Sequence, residues 1–353
     1  MKSEAISVEI SALDPAKIVA LDIVSSEVRQ NFRSYCAQWA TQDPFYITHN
    51  GIVQVMVGRH RDLTRVSTDR SIFSVELPKR PGVEKFDTFM GMDVIAQLDG
   101  EKHDRLRRLL SQPFNPTAVQ ALHGQIERHV NDLIDAILAG DALEFDFMAK
   151  FAEQIMPRVL LQTMFAIDPS EWHRFIRMGN AIELTEDIEP GGDFPVEYKS
   201  AMASVREAIL VLIEERRAHP GTDLMSQLIQ VRDGTDKLSD DELFAQMFTL
   251  LAAALQSTAS ALGGILLTLA RHPEQFALVK AELDLVPSAV EECLRVHGSG
   301  YLSFPRFALE DTELSGTFIP AGVPILMCLG AGNYDPEVYP SRCASMFVAT
   351  PKV

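Results

Sequence analysis

The sequence predicts a mainly α-helical fold with small β-sheets, built as one domain over residues 1–353. Three observations carry that reading. Apolar residues recur at helical spacing through most of 99–220. The stretch "LFAQMFTLLAAALQSTASALGGILLTLA", residues 243–270, is far too long and continuous for a strand. Only two regions, 45–75 and 304–328, alternate in polarity and carry the turn residues of short strands.

Taken in order, "FYITHNGIVQVMVGRH" reads as two strands joined by an Asn50-Gly51 turn, followed by a helical "RDLTRVSTD". Residues 78–100 have mixed polarity and no period, which predicts a long loop of the kind that serves as a lid. Pro169 stops and restarts a helix in "AIDPSEW", and 184–198 is a second break, acidic and rich in Pro and Gly. Ser239 and Glu242 form a capping box that opens a central helix over 240–271. At 1.5 Å per residue it is roughly 48 Å long. That length would cross a membrane, but Gln246, Gln256, Ser257, Thr258 and Gly263-Gly264 interrupt it, so a buried spine is expected. Residues 304–328 return to short strands, with turns at Gly316 and in "IPAG".

The composition narrows function. Hydrophobic residues make up 46% and charged residues 23%, the balance of a soluble globular protein. A formal charge of −17 leaves nothing to neutralise phosphates, which argues against nucleic acid as a partner. The N-terminus carries acids early and no long apolar run, so no signal peptide is expected. Cys36, Cys293, Cys328 and Cys343 show no close pair and no metal-type spacing, which fits a reducing, cytoplasmic setting without a structural metal.

Four constellations carry chemistry. In "LDGEKHDRLRRLLSQPFNP", His103 and Arg107 share a helix face with Leu106 and Leu110, while Arg105 and Arg108 point elsewhere. Cations on an apolar face call for a buried anion; the plainer alternative is a helix with basic residues at its rim. In "AVEECLRVHG", Glu292 and Arg295 lie three apart on a partly apolar helix, in reach of an ion pair. In "LLAAALQSTAS", Ser257 and Thr258 can bond back to carbonyls one turn earlier. The small residues Ala252, Ala253 and Ala254 leave room for a flat group or for close helix packing. Arg306 projects from a strand in "SFPRFALEDTEL".

In this order and spacing, the four resemble the cytochrome P450 family of haem-thiolate monooxygenases, especially its soluble bacterial members. The resemblance runs from "FYITHNGIVQVMVGRH" to "NYDPEVY" and includes H-x-x-x-R at His103 and Arg107, "ARHPEQ", E-x-x-R at Glu292 and Arg295, and "IPAGVPI". It implies haem b as cofactor, with His103, Arg107 and Arg306 at the propionates and Ala253 and Ala254 against the ring. It implies a structural role for the Glu292–Arg295 pair and an oxygen-activating role for the positions of Gln256, Ser257 and Thr258. Here Gln256 stands where the family has an acid, and Ser257 where it usually has threonine. The family's glycine-rich loop F-x-x-G-x-H-x-C-x-G, which supplies the axial thiolate, has no counterpart here. Nor do the long helix and hairpin that follow it. The resemblance therefore implies a domain truncated before its cysteine loop, with no metal ligand and with Cys343 a free thiol, and an inactive truncated form is one outcome this allows. The activity it implies is hydroxylation of a small hydrophobic molecule using O2 and electrons from a ferredoxin, away from any membrane. A haem-free accessory protein that binds and stabilises a partner enzyme is the alternative. Phe86, Phe89, Met90, Phe248, Leu302 and Phe304 are expected either to wall the substrate pocket or to be plain core.

Overall fold

A computed structural model describes residues 13–49, 52–79, 86–87, 89–140, 144–185, 188 and 192–340. Strand β1 (Ile18–Val19) precedes helix α1 (Ser26–Trp39), the strands β2 (Phe45–His49) and β3 (Ile52–Val57), helix α2 (His60–Thr68) and β4 (Phe73–Ser74). Helices follow: α3 (Gly100–Ser111), α4 (Pro116–Ala121), α5 (His123–Leu138), α6 (Glu153–Pro157), α7 (Trp172–Ile182), α8 (Val196–Ala218) and α9 (Leu224–Gln230). Then come α10 (Asp240–Arg271), α11 (Pro273–Ala281), α12 (Val286–His297), strands β5 (Arg306–Ala308), β6 (Thr312–Leu314), β7 (Thr317–Ile319) and β8 (Pro324–Met327), and α13 (Leu329–Gly332). The mainly helical class with small sheets is therefore the observed one.

The chain divides into two compact units, with a boundary between Gly263 and Gly264 inside α10. One unit holds residues 1–87, 189–191 and 264–353. Its sheet runs β1-β2-β3-β8-β5-β4. The expected first hairpin is there, with Tyr46 opposite Val55, although its Asn50-Gly51 turn lies outside the described residues. Strand β8 joins it in parallel, Val55 opposite Ile325, which ties the two ends of the sequence together. Strand alternation sorts the side chains. Tyr46, Val55 and Val57 face one core cluster with Ile325 and Met327. Phe45, Ile47 and Met56 face another with Cys36, Trp39 and Cys328. The separate hairpin β6–β7 turns through Ser315 at φ 47° and Gly316 at φ 75°. Two consecutive left-handed residues make the tight turn whose twist matches its strands.

The other unit holds residues 88–188 and 192–263, and its core is helix on helix. Phe165, Phe175, Tyr198, Ile209 and Met225 pack there with Phe244, Met247, Phe248 and Leu251 of α10. Phe89 joins them, its ring edge-on to Phe248 at 6.0 Å, so these two expected wall residues are core. The capping box that opens α10 is formed in both directions. The Glu242 amide donates to Ser239 Oγ at 3.2 Å, and the Ser239 amide to Glu242 Oε2 at 2.8 Å. Within 78–100, the described part is a short 3-10 turn over Ile95–Gln97 between irregular segments, while 80–85 and 88 lie outside the described residues. The break at 184–198 ends earlier than expected, because α8 begins at Val196 straight after Pro195. Proline disfavours helix in the residue before it but suits a helix start.

Candidate functional site

Helix α3 is amphipathic, with Leu106, Leu109 and Leu110 buried. His103 and Arg107 flank that stripe rather than lying on it: His103 is half-buried and Arg107 exposed. Residue 107 is one position on from Leu106, about 100° around the helix, which carries it past the buried edge. The basic residues of α3 then separate by partner. Arg105 donates to Asp236 at 2.7 and 2.8 Å and also grips Glu242. Arg108 donates to Asp233 at 2.9 Å. His103 Nδ1 lies 2.9 Å from Asp104 Oδ1. The guanidinium of Arg107 has no such partner among the described residues. Five donors in a planar fork with no acceptor are suited to a carboxylate from outside the chain.

In α10, Ala253, Ser257 and Thr258 are exposed, and Ala254 and Gln256 half-buried. Ser257 Oγ donates to the Ala253 carbonyl at 2.5 Å, the back-bond expected from its position. That commits the hydroxyl proton and leaves the oxygen as an acceptor. Gln256 Nε2 donates to Asn180 Oδ1 of α7 at 3.1 Å. About three turns nearer the start of α10 than Gln256 is a clamp that sequence reasoning missed. Gln246, buried, donates to the Asp93 carbonyl at 2.8 Å and accepts from the Ile95 amide at 3.2 Å. It pins the expected lid segment to the helix. The available signal was the amide itself, since a glutamine inside an apolar helix requires a polar partner. Asn180 gave no comparable signal.

In the other unit, Arg295 holds Glu292 through two bonds of 2.7 Å, and its third nitrogen donates to the Asn333 carbonyl at 2.7 Å. Tyr339 stacks on the guanidinium, 4.8 Å from ring centroid to Cζ. Arg306 opens β5 opposite Ile325 and is half-buried. Cys36 and Cys328, remote in sequence, meet with their sulfurs 3.8 Å apart in the core. The spacing of the cysteines concealed that pair. That contact, and then burial, push the Cys36 thiol up, and burial pushes Cys293 up to about 11. These three thiols are free and buried; Cys343 lies outside the described residues.

The donor set therefore fits a haem in part. Arg107 offers an open site for a propionate, and the exposed Ala253 face lets a flat ring approach. The three described cysteines, by contrast, are spent inside the core and offer no axial thiolate.

The comparisons with known proteins bear on the same residues. The profile of the family described as Cytochrome P450 matches residues 18–342. The chain is 34% identical over 288 residues to 6-deoxyerythronolide B hydroxylase of Saccharopolyspora erythraea, covering 77% of this chain and 68% of that protein. It is 32% identical over 257 residues to cytochrome P450 CYP107DY1 of Priestia megaterium, covering 72% of this chain and 60% of that protein. Among solved structures, it is similar to cytochrome P450 CYP109Q5 of Chondromyces apiculatus with a TM-score of 0.81 and 27% identity. That likeness covers 95% of this chain and 82% of the other. The chain thus spans about three fifths of the length of the Priestia relative.

Proposed function

The chain belongs to the cytochrome P450 family, and from that premise we propose that it forms the haem-binding body of a cytoplasmic monooxygenase. Its substrate is a small hydrophobic molecule, hydroxylated with O2 and electrons delivered by a ferredoxin. The family implies haem b, which supplies the one-electron and dioxygen chemistry. The observation that carries this reading is the Arg107 guanidinium, without an acidic partner among the described residues, on a helix whose other arginines are ion-paired. A surface of net charge −17 has acids to spare, so an arginine kept clear of them is reserved for another anion.

In this reading Arg107 and His103 would hold a propionate, and Ala253 and Ala254 would leave room for the ring. In the other unit, Arg306 would take a propionate by family resemblance, and Arg295 and Glu292 keep that unit's core rigid. Gln256 is a neutral amide, so it orders water through Oε1 without giving up a proton. Ser257 and Thr258 supply hydroxyl oxygens at the same turn. The same relatives that are named as a hydroxylase and a cytochrome P450 support the reaction class.

A second reading, a haem-free protein that stabilises a partner enzyme, is favoured by one observation: Cys36, Cys293 and Cys328 are all buried in the core. One experiment separates the two. The chain is expressed with a haem precursor, reduced, exposed to carbon monoxide, and its absorption recorded. Bound haem without a thiolate-type Soret band is the expected result, because the described cysteines offer no axial sulfur, and Arg107→Ala should reduce the haem retained. A protein that stays colourless even after added haemin overturns the monooxygenase reading in favour of the accessory one.

A further inference from the structure

A cavity of about 560 Å³ lies between α7 and α8, lined by Arg177, Asn180 and Leu184 on one side and by Val196, Glu197 and Ser200 on the other. Its mouth is apolar: Leu184 is 48% and Val196 76% exposed. Its polar wall has an unusual member. Of the five arginines on these two helices, Arg174, Arg206, Arg216 and Arg217 each have a carboxylate within 4.0 Å. Among the described residues, the side-chain partner of Arg177 is Ser200 Oγ, at 3.4 Å. The cavity's own carboxylate, Glu197, makes no ion pair with it and sits in the first turn of α8, where the helix dipole already favours a negative charge. Asn180 connects this wall to α10: its Oδ1 accepts from Gln256, which leaves its amide protons directed elsewhere.

We propose that this cavity binds the carboxylate end of an amphipathic aliphatic acid, with Arg177 as counter-ion, Asn180 and Ser200 as further donors, and Leu184 and Val196 against the chain. A carboxylate matches one guanidinium fork, whereas a phosphate head group calls for more positive charge than a single arginine beside Glu197 provides. The proposal rests on the monooxygenase reading for treating this molecule as the substrate; the binding itself does not require haem.

The test is calorimetric titration of the purified chain with decanoate and, separately, with 1-decanol. Decanoate should bind about tenfold more tightly than 1-decanol, the order expected for a hydrogen-bonded charge pair at a partly exposed site. Arg177→Gln should abolish that preference and Arg177→Lys retain part of it. Glu197→Gln should tighten decanoate by removing the repelling charge, and 1-decanol should bind all four proteins alike. Equal binding of acid and alcohol by the unmodified chain overturns the proposal. So does an unchanged decanoate affinity in Arg177→Gln, with circular dichroism confirming that the variant folds. A chain that holds haem but shows no preference for the acid refutes this inference alone. A chain that prefers the acid but takes up no haem supports the carboxylate site and refutes the monooxygenase reading.

Discussion

Arg295 grips Glu292 through two parallel bonds of 2.7 Å, with the arginine side chain only 10% and the glutamate 18% exposed. The third guanidinium nitrogen reaches the Asn333 carbonyl, so one side chain ties α12 to the turn after α13. A charge held this deep is stable only while its partner stays. Glu292→Gln or Arg295→Met should therefore cost about 3–5 kcal/mol, read from the urea midpoint. Replacing both by leucine and methionine should cost markedly less, because no unpaired charge remains. Equal losses in the single and double variants would show that shape, not charge, holds this joint.

Neighbouring glycines in α10 should respond in opposite ways to alanine. A Cβ on Gly264 would meet the His297 carbonyl at 2.5 Å, a backbone atom fixed at the end of α12. A Cβ on Gly263 would meet Met148 Sδ at 2.6 Å, the far end of a flexible side chain. Alanine within a helix gains about 1 kcal/mol over glycine. Gly263→Ala should keep much of that gain as Met148 swings aside, while Gly264→Ala should lower the melting temperature. A similar shift for both variants would contradict this geometry.

Acid sensitivity should be traceable to Arg105. Its hydrogen bonds hold the Asp236 carboxyl below the ordinary carboxylate range. For Glu242, burial acts upward, but the bonds from Arg105 and Ser239 outweigh it and the net shift is down. A carboxyl depressed in the folded state adds stability above its unfolded pKa, and that stability is lost as pH falls through the folded value. Arg105→Gln should thus destabilise the protein at neutral pH and flatten the decline in stability below about pH 4, the unfolded carboxylate range. Parallel acid-unfolding curves for the two proteins would refute the assignment.

The buried thiols offer a chemical check on the packing. The nucleophile toward an aromatic disulfide reagent is the thiolate; the contact with Cys328, together with burial, raises the Cys36 thiol above its ordinary value, and burial raises that of Cys293. In the native protein Cys36, Cys293 and Cys328 should stay unreactive on the timescale in which all four cysteines react in denaturant. Mass spectrometry of the labelled chain identifies which sulfurs reacted. Rapid native labelling of Cys36 or Cys328 would mean that the α1–β8 core is open.

How much was legible beforehand depended on range along the chain. The Ser239–Glu242 box, the Glu292–Arg295 pair and the Ser257 back-bond are three or four residues apart, and helix geometry alone brings such positions together. The placement of His103 and Arg107 was only half legible. The heptad-like pattern put them beside the leucines, but which side of the buried edge they fell on depended on what α3 packs against.

By itself, then, the sequence determined a helical protein with a 32-residue spine, a first hairpin, a strand region over 304–328 and membership of a family. It did so because hydrophobic period, caps and turns act over a few residues. Only the tertiary structure decided that Gln256 would spend its amide on Asn180, that Arg105 rather than Arg107 would take Asp236 and Glu242, and that Cys36 would meet Cys328. Those pairs are between 76 and 292 residues apart in sequence. Their meeting is the sum of many small packing contacts, none of which is written in the spacing of the residues themselves.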